Sequence, residues 1–99
     1  MASEVIFHRL VQRDMNDIRS YYVDEVGERL ADRFYDAFLS VVDRAATNPR
    51  YFHDFLPPYR RAAIPKFPYH FLYRETVKGI RVLVLRHDRR HPSYGLSRK

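Results

Sequence analysis

Ten side chains in the second half of the chain are of types that handle phosphates or carboxylates: Arg60, Arg61, Lys66, Arg74, Arg86, His87, Arg89, Arg90, His91 and Tyr94. Arginine forks grip such anions through two parallel hydrogen bonds, whereas a lysine acts as a point charge. Tyr59, Tyr69, Tyr73 and Tyr94 are interleaved with them and offer faces on which unpaired bases stack. The parts for RNA cleavage without a metal are also present. That reaction needs a base for the 2′-hydroxyl proton, cations around the crowded phosphate and an acid for the leaving oxygen. His87 or His91 suits either proton-transfer role because imidazole titrates near neutral pH. Tyr94 and Glu75 are poorer candidates, and the arginines would stabilise charge. Spacing alone assigns none of these roles. The plainer alternative makes the tyrosines core residues and the cations solubilisers of sheet edges.

Other chemistries find little support. Cysteine is absent, which removes disulfides, thiolate catalysis and cysteine-ligated zinc. His87 and His91 stand four apart, the spacing of a helical metal pair. They leave a strand and precede Pro92, however, and only Asp88 is near enough to add a carboxylate, so no metal site is expected. With three glycines and neither a GxGxxG nor a P-loop pattern, no nucleotide cofactor is expected. The first residues, MASEVIFHRLVQRD, mix acid and base without a long apolar stretch, and the longest apolar run is Val82–Leu85. Neither a signal peptide nor a membrane span is expected, which points to the cytoplasm.

Charge is divided unevenly. Residues 1–49 carry six Lys/Arg against nine Asp/Glu, a balance of −3, and residues 50–99 carry twelve against three, a balance of +9. The overall +6 therefore belongs to the second half, and its single-sign field favours a polyanionic or acidic partner.

The elements that must position these residues can be read from periodicity. At 99 residues, 45% hydrophobic and 15% aromatic, the chain is long enough for one folded domain, residues 1–99, and too short for two. Glu4–His8 alternates weakly, as a short strand does. Val11, Met15, Ile18, Tyr22 and Val26 form a helical stripe that Gly27 interrupts. Leu30, Phe34, Ala37, Phe38, Val41 and Ala45 form a second stripe ending at Asn48-Pro49. So short a break predicts a helical hairpin, with Asp14, Asp17, Arg29, Asp32 and Arg33 as solvated charge. Residues 49–58 read as a loop and Arg60–Ile64 as a strand, and Pro65–Pro68 kinks the chain. Phe67, Tyr69, Phe71 and Tyr73 then share one strand face, with His70, Leu72 and Arg74 on the other. Lys78-Gly79 supplies a turn, and Ile80–His87 reads as a central strand covered on both sides. The expected fold is α+β, in the order β-α-α-β-β-β: a helical hairpin packed on one face of a small, mainly antiparallel sheet. The other face is expected to be partly open and basic.

Three stretches together carry a family resemblance: Arg61 before the kink, KFPYHFLYRE at residues 66–75, and VLVLRHDRRHPSYGLSR at residues 82–98. With RDMNDIRSYYVDEVGERLADRFYDAF at residues 13–38, they resemble the ParE branch of the RelE/ParE toxin superfamily, the plasmid stabilization proteins. The resemblance covers essentially the whole chain. It implies a toxin of a bacterial type II toxin–antitoxin module, held in a hetero-oligomer by a cognate antitoxin. The basic face and the apolar surface of the helical hairpin in turn call for an acidic, amphipathic antitoxin segment. The ParE kind implies DNA gyrase as target and no catalytic residues. The RelE kind implies ribosome-dependent mRNA cleavage, for which Arg61, Lys66, Arg86, His87, His91 and Tyr94 would be the candidates. The adjacent His and Tyr of one ribonuclease subgroup do not occur here, since Pro92-Ser93 separates His91 from Tyr94. A surface for antitoxin or target is expected from Arg60, Arg61, Arg74, Arg86, Arg89 and Arg90. A third possibility is a non-toxic module that keeps only its antitoxin surface.

Overall fold

Residue types along the chain dictate a helical pair and then a sheet, and the computed structural model, which describes residues 3–99, has that order. Strand β1 (Glu4–Phe7) leads into α1 (Val11–Glu25) and α2 (Glu28–Thr47). The short β2 (His53–Asp54) precedes β3 (Arg60–Ala63), β4 (Tyr69–Glu75) and β5 (Gly79–His87). Two helices thus pack on a five-stranded sheet of order β1-β5-β4-β3-β2. The β1–β5 pair is parallel and the others are antiparallel. The β-α-α-β-β-β expectation is met, with one addition: residues 49–58 are not all loop, because His53 and Asp54 pair with Arg61 and Arg60.

The helical stripes bury what their spacing promised. Val11, Met15, Ile18 and Tyr22 from α1 join Phe34, Phe38, Val41, Val42 and Ala45 from α2 against Phe71, Tyr73, Val82 and Leu85 of the sheet. Tyr22, Phe34, Phe67 and Tyr69 cluster at centroid distances of 5.1–6.1 Å, edge to face except for the tilted Tyr22–Phe34 pair, an arrangement favoured for aromatic rings. Val26 departs from its stripe. It lies past the end of α1 and is exposed, because Gly27, at φ +137°, turns the chain in a conformation that only glycine adopts readily.

On the face away from the helices, Leu72, Leu83 and Val84 form a second small cluster. Phe55, Tyr59 and Leu96 cover it, so this face is less open than its sequence suggests. Central β5 is consequently buried on both sides, as its apolar run requires. A register shift at Leu72/Tyr73 fits two consecutive β5 residues, Leu83 and Val84, onto the same cluster.

Candidate functional site

Strand β1 ends opposite Val82, where the His8 amide donates to the Val82 carbonyl, so the rest of β5 has no strand on that edge. Side chains take the place of that strand. Asp14 of α1 accepts a hydrogen bond from the Leu85 amide at 3.1 Å. Both oxygens of its carboxylate accept from Arg98, at 2.6 and 2.8 Å, and Arg98 also donates to the Leu83 carbonyl at 3.2 Å. Asp14 is only 6% exposed, which corrects its reading as solvated charge. The fork held by Asp14 raises the Arg98 pKa against the opposing effect of burial. A signal for this existed. Asp14 stands three residues after Val11 and four before Ile18, on the buried stripe itself.

Arg86 does comparable work on the opposite face. It is 4% exposed. Its Nε donates to His70 Nε2 at 2.9 Å, and one terminal nitrogen points at the carbonyls of His91, Pro92 and Tyr94, the last two at 2.8 and 2.9 Å. Burial, followed by the neighbouring Arg61, lowers its pKa. His70, at 2% exposure, therefore presents a bare Nε2 to Arg86 and pairs through Nδ1 with Asp88 at 2.8 Å. That tautomer carries its proton on Nδ1. Burial lowers the His70 pKa, opposed by the Asp88 hydrogen bond. Arg61, on the strand beside it, reaches the same Asp88 oxygen at 3.4 Å. His70, Asp88 and Arg98 are the residues that sequence reading left without a role.

Between them the two arginines hold the segment after β5 to the body. Gly95, at φ +83°, completes the seal: a Cβ there would lie 2.6 Å from the Val84 side chain. What this segment presents outward is a cleft of about 240 Å³. Asp17, Ile18 and Tyr21 of α1 form one wall, Arg90 and Tyr94 the other, and Tyr69 and His87 line it between them. The Arg90 guanidinium lies 4.3 Å over the Tyr94 ring, a cation–π contact that keeps the charge at the rim. His87 packs edge-on to Tyr69 at 5.0 Å, and its Nδ1 accepts from the Arg89 amide.

The candidate cations thus divide among several environments. Arg86, His87, Arg90 and Tyr94 line one cleft, but the Arg86 guanidinium is spent on backbone carbonyls. Arg89 is exposed in the turn next to it. Arg61 and the half-buried Arg74 lie by register opposite Leu72 and Arg81 on the helix-free side. Arg60 pairs by register with Tyr73, bonds to the Phe52 carbonyl at 2.8 Å and lies 3.2 Å from Asp54. His91 binds Ser93, and Lys66 lines a different cleft beside α1 and α2. Among the described residues no group of acids and histidines is arranged to hold a metal ion, and no helix is long and apolar enough to cross a membrane.

Two helices on this sheet, with a cation-rich end and a C-terminal segment pinned across it, define a small α+β domain of the helical-hairpin-on-sheet class. Comparison identifies the family. Residues 5–92 match the family described as "ParE toxin of type II toxin-antitoxin system, parDE", and the chain belongs to it. The fold also matches a chain of a solved structure described as "Chromosomal ParDE TA system from P. aeruginosa", at a TM-score of 0.76 and 18% identity over 87% of this chain and 96% of that one. No curated protein matches the sequence.

Proposed function

We infer that this ParE-family toxin arrests growth by binding a protein target, DNA gyrase, and that a cognate antitoxin with an acidic amphipathic segment silences it. One observation carries the preference for binding over RNA cleavage. The buried Arg86, the cation a cleavage site would need beside His87 and Tyr94, already donates to His70 and to two carbonyls within 3 Å. A guanidinium committed in this way cannot turn toward a phosphate without releasing the C-terminal segment. The exposed Arg89 and Arg90 and the half-buried His87 remain free to meet a partner's acidic surface.

The test is induction of the toxin alone, followed by a comparison of DNA integrity with translation. Trapped DNA breaks, filamentation and an SOS response are the expected outcome, and prompt site-specific mRNA cuts would replace this reading with the ribonuclease one. Replacing Arg89 and Arg90 by alanine is expected to reduce growth arrest while leaving stability within about 0.5 kcal/mol, as for most exposed positions. Undiminished toxicity of that double variant would remove the two arginines from the target surface.

A further inference from the structure

Lys66 occupies a position that its backbone does not suit. The Phe67 amide donates to the Ile64 carbonyl at 3.2 Å, closing a turn with Pro65 and Lys66 at its centre. Lys66 has φ +71°, so the turn is of the type II kind, whose third residue is normally glycine or asparagine. Lysine gains nothing sterically from this conformation. Such a residue indicates that its side chain, not its backbone, is what the position needs.

That side chain borders a cleft of about 470 Å³ between the turn and the helical hairpin, lined by Tyr22, Leu30, Arg33, Lys66 and Phe67. Its floor is aromatic and aliphatic, and its rim carries two cations. Neither Arg33 nor Lys66 forms an ion pair among the described residues, and no acid lines the cleft. The cleft adjoins the one beside Arg90. Tyr69 lines that cleft and lies 6.1 Å from Tyr22 of this one, while Tyr21 and Tyr22 face the two in turn.

We propose that this cleft is a docking site for the antitoxin, taking an apolar side chain on Leu30 and Phe67 and flanking carboxylates on Arg33 and Lys66. The inference rests on the antitoxin reading above and adds the place and chemistry of one contact. Two unpaired cations around an apolar floor complement an amphipathic acidic segment, and a docked carboxylate gains a guanidinium fork on one side and an ammonium on the other. The neighbouring cleft, with Arg90 on its rim, lets the same segment continue along α1.

The test uses the full-length toxin and the antitoxin encoded beside it, with titration calorimetry and melting curves on each variant. The double reversal Arg33→Glu/Lys66→Glu is expected to weaken binding at least about tenfold. Arg44→Glu, a reversal of an exposed charge in the last turn of α2, is expected to change it less than about twofold, separating a local contact from the overall field. Lys66→Gly is the decisive single variant. It suits the turn better, so its melting temperature should equal or exceed that of the parent while its affinity falls several-fold. Undiminished affinity in the double reversal and in Lys66→Gly overturns this site while the antitoxin reading stands. Loss of toxicity alone in those variants also overturns it and gives the cleft to the target. If the unaltered toxin does not bind the antitoxin, the wider reading fails and takes this site with it.

Discussion

An aspartate in the first turn of an amphipathic helix usually faces water, and Asp14 instead serves as a substitute for a missing strand. Its carboxylate accepts from one backbone amide and from two nitrogens of one guanidinium, and Arg98 returns a bond to the Leu83 carbonyl. A buried pair of this kind is a weak source of net stability, but removing one partner strands the other charge. Asp14→Ala is therefore expected to destabilise the protein by about 3 kcal/mol in denaturant melts, and Arg98→Ala by a similar amount. Asp17→Ala, in the next turn but exposed, should stay within about 0.5 kcal/mol. The double variant Asp14→Ala/Arg98→Ala should be less unstable than the sum of the single changes, because each single change already loses the pair. Additive effects would mean that the two side chains act independently.

The elements were legible wherever one periodicity dominated. The stripes of α1 and α2 and the alternation of Tyr69, Phe71 and Tyr73 translate directly into buried faces. Edges were not legible, because strand pairing joins residues far apart and leaves little local trace. The parallel seat of β1 beside β5 is one such case, whereas β2, close in sequence to its partner β3, is simply too short to show an alternation. The candidate site was half legible for a related reason. Side-chain type marked the basic end, but two of its arginines are consumed in holding the C-terminal segment, and only contacts across the fold reveal which. Arg86 and Arg90 are equivalent as letters and opposite in exposure. Gly79 tests the edge pairing. It precedes Ile80 in β5, and a Cβ there would lie 1.9 Å from the Glu4 carbonyl oxygen of β1. Gly79→Ala is expected to force the two strands apart at a loss of about 2–3 kcal/mol, read as a lower denaturation midpoint with loss of amide protection across residues 4–7. Protection that stays at the parent level would mean the pair gives way elsewhere.

At the scale of the whole molecule, the C-terminal segment is bound on one side through a group that titrates near neutrality. His70 accepts from Arg86 while donating to Asp88, so both ring nitrogens are in use only when the ring is neutral. Protonation would set an N–H against the Arg86 N–H and place two cations together in a buried site. Burial lowers the folded-state pKa below the ordinary 6.5, so the unfolded chain takes up protons first as pH falls. Stability from this group is therefore fully present above about pH 6.5 and is lost as pH falls below that value toward the folded-state pKa. His8 shifts in the same direction, with burial as its largest cause, and adds to the same trend. Melting temperature should accordingly fall between about pH 7.5 and pH 5, and amide exchange over residues 91–98 should accelerate before the helices open. His70→Gln, which cannot take a proton, should start from lower stability but show a shallower fall over that range. An equal slope in the variant would assign the acid sensitivity to His8 and the carboxylates and leave the His70–Arg86 contact a passive one.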